Sequence, residues 1–251
     1  MKGLLYKDYL NGRGGIYVVI CYAAFIYSIL VSLGSNIRMA ESLEAKLELY
    51  SEAFIMPFFF TSFLCVLPLL MAFAICAMDT KTKWTNYAMA LPGGYKMVVA
   101  EKYIILGIAH VCGFLMGLSC LPIVKSLYCI KEEGILIEGN IEMLLVMILL
   151  MVGAGMTVSA FLVPMTVRGV TWIEYVVTGI MVIILYGGLT YASFGDLSFL
   201  TDAEFAIKVI QWFLEHKNII WVFGVGSVAG GILCQVISYL LTKKMFLKLV
   251  G

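Results

Sequence analysis

The chain has 251 residues, of which 62% are apolar and only 13% charged. A soluble domain averages roughly half apolar and a quarter charged, so an ordinary soluble enzyme, a secreted disulfide scaffold and a disordered chain are all excluded, and the solvent is mostly lipid. With 17 Lys and Arg against 16 Asp and Glu, the net charge is +1, which lacks the basic surplus of a nucleic-acid binder.

Residues 1–10 read M-K-G-L-L-Y-K-D-Y-L. Leu4, Leu5 and Tyr9 can share a helical face, with Lys2, Lys7 and Asp8 around it. Two readings fit: an interfacial amphipathic helix ahead of the first crossing, or a simple cationic anchor. Six apolar runs of about 20 residues, the length a bilayer demands, follow at 16–33, 54–78, 104–124, 141–163, 176–194 and 219–241. No small-residue cleavage site follows the first run, so it is read as a span rather than a signal. The expected fold is an all-α membrane protein, a single transmembrane domain over 1–251. It has six spans, the N-terminal interfacial helix and short outer helices between the last two spans.

Six crossings place both termini on one side. Eleven basic and four acidic residues fall on that side, and six basic and twelve acidic ones on the other, so a near-neutral chain divides into faces of +7 and −6. Lys and Arg collect in cytoplasmic flanks, which puts the termini in the cytoplasm.

Ionisable groups deep in a span usually mark a working site. His110 alone lies clearly inside one, and a hydrogen-bonded structural role fits it better than a proton relay. There is no H-E-x-x-H, no paired carboxylates within the spans and no nucleophile–base pair, so catalytic, metal and cofactor sites are expected to be absent. Cys21, Cys65, Cys76, Cys112, Cys120 and Cys234 fall in apolar runs and are read as small buried residues; Cys129 does not, and no C-x-x-C occurs. Gly-x-x-x-Gly at Gly113/Gly117 and Gly226/Gly230 fits contact between spans of the same chain, or a subunit interface. Pro57, Pro68, Pro122 and Pro164 give the spans places to bend.

The second loop begins at Asp79 and holds a helical stretch over 84–91, stopped by Pro92-Gly93-Gly94. Trp84, Tyr87 and Leu91 are spaced three and four apart and share one face. That face fits a docking element at the cytoplasmic surface, or an interfacial helix in an aromatic belt.

The opening Lys2-Gly3-Leu4-Leu5 with Lys7-Asp8 resembles the start of small bacterial permeases of type-2 ATP-binding-cassette (ABC) transporters. The loop signature Asp79…Trp84…Leu91-Pro92…Lys96…Glu101-Lys102-Tyr103 is similar to the segment after their second span. The nearest group is the permease type of the phenol-soluble-modulin exporters. The resemblance implies a bacterial cell-membrane permease that pairs with a second permease copy, as a homodimer or heterodimer. Each copy would be held by a separate cytoplasmic ABC ATPase subunit. The docking residues carried over are Leu5, Lys7 and Asp8 with Asp79, Lys81, Trp84, Tyr87 and Leu91. The segment 196–217 would form the short outer helices.

No G-x-x-x-x-G-K-[ST] phosphate loop occurs, so no cofactor is expected in this chain, and ATP and Mg belong to the partner ATPase. The spans are apolar and aromatic, with Thr61, Ser62, Tyr186, Thr190 and Tyr191 as scattered polar points of a possible path lining. Such a lining suits export of amphipathic or hydrophobic cargo, peptides foremost. The alternative is a non-transporting membrane immunity or sensor protein that binds a peptide.

Overall fold

Long apolar helices with few interior breaks make up nearly all of the described residues, because backbone groups in lipid must be satisfied within their own segment. The computed structural model describes residues 2–53, 56–81, 94–128, 130–132, 135–137, 141–167, 212 and 215–250. Among them are helices α1 (Lys2–Met39), α2 (Leu43–Ala53), α3 (Met56–Lys81), α4 (Gly94–Leu127), α5 (Ile141–Val167) and α6 (Lys217–Val250). A small antiparallel hairpin, β1 (Ile130–Glu132) and β2 (Ile135–Ile137), joins α4 to α5.

Among the described residues, five stretches are long and apolar enough to cross a bilayer: Gly12–Met39, Met56–Cys76, Lys96–Leu127, Ile141–Pro164 and Lys217–Lys244. They coincide with five of the six expected spans. The expected span 176–194 and the loop helix 84–91 lie outside the described residues, as does most of the expected outer-helix segment 196–217.

Two differences stand out. Residues 2–10 do not form a separate interfacial helix: they are the first turns of α1, a single 38-residue helix. No proline interrupts this stretch, so nothing forces the ladder of backbone bonds to stop. The segment after the first span contains α2, an element the sequence reading did not assign. Ser42 caps it, its hydroxyl accepting from the Ala45 amide at 3.2 Å. Leu43, Leu47 and Tyr50, spaced four and three, press α2 onto the end of the bundle.

Three apolar clusters hold the helices together. Near the α2 end, Ile37, Tyr50, Cys65, Val124, Tyr128, Leu144 and Ile148 bring the first five helices together. Ala23, Ile26 and Leu30 run along one stripe of α1 against Leu64 and Cys120. At the opposite end, Leu69, Ala72, Val99, Leu106, Ala109 and Val163 join α3, α4 and α5.

The helix order places chain ends of opposite charge at opposite poles. The N-terminus of α1, the C-termini of α3, α5 and α6 and the N-terminus of α4 share one pole, which carries Lys2, Lys7, Arg13, Lys81, Lys96 and Lys102 along the backbone. The other pole carries α2 with Glu44 and Glu48, and an ion pair between Glu142 and Lys217. α5 and α6 run parallel: Gly224 lies against Val146, Gly231 against Gly153, and Ser238 against Ala160.

Candidate functional site in the helical bundle

The α5–α6 contact is built from small and polar residues. On α6 the seam is Gly224, Ser227, Gly231, Gln235, Ser238 and Thr242, spaced three or four apart. A Cβ added at Gly153 would come within 2.5 Å of Ser227 backbone and hydroxyl atoms, and one at Gly231 within 2.8 Å of the Met156 Cβ. Only glycine allows these backbones to approach so closely. The Ser227 hydroxyl lies 2.8 Å from the Gly224 carbonyl oxygen and 3.2 Å from that of Leu149.

The two Gly-x-x-x-Gly pairs separate in role. Gly113 and Gly117 fit between spans of the same chain: a Cβ at either would overlap Cys65, the first at its carbonyl oxygen and the second at its Sγ. A Cβ at Gly226 or Gly230 would meet none of the described residues within 4 Å. The close packing of α6 instead falls to Gly224 and Gly231, which the motif does not pick out.

Deeper in the bundle, His110 on α4 is buried, with Nε2 3.0 Å from the Ser159 hydroxyl on α5. Ser159 donates to the Met156 carbonyl at 2.9 Å. Its oxygen also accepts from the Gln235 amide of α6, which donates to Met156 O at 2.8 Å as well. A second polar group lies nearer the basic pole. Tyr103 meets Ser238 at 2.5 Å and Thr242 at 3.1 Å. Ser238 donates to Ala160 O at 2.5 Å and Thr242 to Ser238 O at 2.7 Å. These groups tie α4, α5 and α6 together with hydroxyl, imidazole and amide groups rather than charge.

Two charged residues are buried where the sequence reading placed them simply at the cytoplasmic side: Glu101 is 1% exposed and Lys102 3% exposed. The 32-residue apolar stretch of α4 extends about 48 Å at 1.5 Å per residue. It outreaches the roughly 30 Å hydrocarbon core, and Glu101 and Lys102 fall in its first turns.

The expected site residues are distributed as follows. Leu5, Lys7 and Asp8 lie on the first turns of α1, and Asp79 and Lys81 on the last turn of α3, both at the basic pole. Trp84, Tyr87 and Leu91 lie outside the described residues, as do Tyr186, Thr190 and Tyr191. Thr61 is buried on α3, its hydroxyl without a hydrogen-bond partner among the described residues. Ser62 is partly buried and donates to the Phe58 carbonyl of its own helix at 2.7 Å.

The reading of the cysteines as uniformly buried is corrected. Cys65, Cys76 and Cys120 are buried, but Cys21 and Cys112 are exposed on helix faces. A thiol is apolar enough to face lipid at little cost, so an apolar run does not tell the inner face from the outer one. All six described cysteines are free. Among the described residues, no group of three or more His, Cys, Asp or Glu side chains could hold a metal ion.

Comparison with curated proteins and with solved structures finds no match. A family model described as "ABC-2 family transporter protein" matches residues 49–247. In that family the membrane chain is the permease component, and ATP hydrolysis lies in a separate ABC ATPase subunit with which it partners. The match takes in every described helix from α3 to the greater part of α6, and this multi-pass membrane protein belongs to the ABC-2 family of transporter proteins.

Proposed function

We propose that the chain is the permease of an exporter that moves amphipathic or hydrophobic cargo, peptides foremost, out of a bacterial cell. Two copies would form the transport unit, each held by a cytoplasmic ATPase that binds ATP and Mg. The observation that carries the cargo reading is the character of the interior. Among the described residues, 56–76, 103–124, 143–164 and 218–242 contain no Asp, Glu, Lys or Arg. The buried polar groups around His110 and Ser238 are occupied with one another. An ion or sugar would need polar groups free to replace its hydration shell. A peptide with an apolar face needs mainly apolar surface.

The parallel course of α5 and α6 supports a sixth crossing. α5 ends at the basic pole and α6 begins at the acidic one, so the chain between them has to regain the far side, and 176–194 is the apolar run available. Both termini then face the cytoplasm, with the basic pole toward the ATPase. The docking surface would comprise Leu5, Lys7 and Asp8 at the start of α1, and Asp79, Lys81, Trp84, Tyr87 and Leu91 at and beyond the end of α3. Because α3 runs into this loop without a break as far as Lys81, movement of a docked ATPase would be passed directly into the bundle.

The test is the double change Trp84→Ala and Tyr87→Ala, made in the permease co-expressed with the ABC ATPase encoded beside it. Loss of ATPase co-purification and of peptide-stimulated ATP hydrolysis is the expected result. If both survive unchanged, the docking assignment is wrong.

A further inference from the structure

α1, α3 and α4 leave a groove between them. α3 forms its floor with Pro68, Met71 and Ala72, and α1 and α4 form its walls. The walls meet toward the acidic pole, where the Tyr27 hydroxyl reaches the Met116 carbonyl at 3.2 Å and bonds to Ser119. Leu30, Leu64 and Cys120 close the bundle beyond that point. Toward the basic pole α1 stays on the floor through Gly12 and Gly15, against Ile75 and Met71, while α4 stands away from it. The groove's volume is about 620 Å³, well within the range of ligand pockets.

The dimensions point to the occupant. The lining runs from Tyr9 to Ile20 on α1 and from Ile105 to Met116 on α4. At 1.5 Å per residue each stretch is about 16 Å long, close to half of the roughly 30 Å hydrocarbon core. The groove is therefore about one leaflet deep, and it lies on the side of the basic pole. Its lining is apolar except at the Tyr9 hydroxyl and the Cys112 thiol, so it will not hold water. Its rims face outward, Ile108 and Leu115 each being 57% exposed. Exposed Arg13 stands on α1 between the lining residues Tyr9 and Ile16, spaced four and three from them, beside the wall rather than in it.

We infer that this groove seats one acyl chain of an anionic phospholipid from the leaflet at the basic pole, with the lipid's head group held at Arg13. The hydrocarbon fills a space that neither water nor the described side chains fill, and the guanidinium supplies the charge that selects the head group. Thr61 and Ser62 are not among its lining residues.

The full chain, assembled in phosphatidylcholine nanodiscs with a minority of phosphatidylglycerol, is released into detergent and its retained lipid counted by native mass spectrometry. The expected result is one phosphatidylglycerol kept per chain. Arg13→Gln should lower the preference for phosphatidylglycerol over phosphatidylcholine about fivefold, the effect of one basic side chain near the surface, while a lipid is still kept. Ala109→Phe places a ring in the cavity and should abolish retention. Cys112→Trp, at a wall position already exposed, should do the same without loading the core. Unchanged retention in Cys112→Trp, or unchanged preference in Arg13→Gln, overturns the assignment. So does a disulfide between Cys112 and a cysteine introduced along 176–194, because the chain's own segment would then fill the groove.

Discussion

Pro164 lies inside α5 without ending it. Having no amide hydrogen, it cannot donate to the carbonyl four residues earlier, which is that of Ala160. Ser238 of the neighbouring helix donates to that carbonyl at 2.5 Å. The bond thus links two helices and also replaces a missing rung within one of them. Ser238→Ala removes it. Tyr103 keeps Thr242 as a partner at 3.1 Å, and Thr242 keeps the Ser238 carbonyl, so the cost falls mainly on the Ala160 oxygen. Interhelical hydrogen bonds in membranes average about 0.6 kcal/mol and reach about 1.7. A buried acceptor left alone costs about 1–3 kcal/mol. Ser238 is buried at 7% exposure, so Ser238→Ala should destabilise by about 1.5 kcal/mol.

A double-mutant cycle with Pro164→Ala isolates the effect. Alanine at 164 restores an amide that can serve the Ala160 carbonyl. In that background Ser238→Ala should cost only about 0.5 kcal/mol, leaving a coupling of about 1 kcal/mol. Reversible unfolding in mixed detergent–SDS micelles, followed by tryptophan fluorescence, measures each corner of the cycle. A coupling within about 0.3 kcal/mol of zero, the scatter of independent sites, would refute the compensation.

Two further predictions rest on packing and on charge. Gly153→Val should destabilise by more than about 3 kcal/mol, since overpacking here meets backbone rather than a yielding side chain, whereas Gly226→Val and Gly230→Val should be close to neutral for the single chain; the same unfolding assay ranks them. An impermeant maleimide applied to intact cells should label Glu44→Cys, while Lys244→Cys should react only after permeabilisation, in a background with the native cysteines replaced by serine. The reverse pattern would turn the molecule over in the membrane.

Length and polarity made the spans legible. A run of about 20 apolar residues is rarely anything but a crossing, and five of them became helices at nearly the expected places. Sorting the charges between loops anticipated the two poles of the bundle, because the helices carry their flanks with them. Helix faces were far less legible. Gly226 and Gly230 match the motif for close packing but a Cβ at either would meet none of the described residues within 4 Å, and Cys21 and Cys112 sit in apolar runs yet are exposed. In water, hydrophobicity separates the inner face of a helix from the outer one. In lipid both faces are apolar, and that signal vanishes.

The residual signal is polarity. On α6 the exposed residues include Val222, Phe223, Val225, Ile232, Leu233, Val236 and Ile237, all bulky and apolar. The inward stripe is Gly224, Ser227, Gly231, Gln235, Ser238 and Thr242. Serine, threonine and glutamine avoid lipid because an unpaired hydroxyl or amide there is costly, and glycine lies where backbones meet. Read as a period of polar residues, Ser227, Gln235, Ser238 and Thr242, rather than of hydrophobic or merely small ones, α6 shows its buried face in the sequence alone, and the lone Gln235 in its run marks where Ser159, the partner of His110, will meet it. Glu101 and Lys102 escape this rule for a different reason. They lie beyond the twenty residues needed to cross, and helix length alone does not tell whether an overhanging turn is solvated or packed against its neighbours. That depends on α5 and α6 reaching the same height, which only the assembled bundle determines.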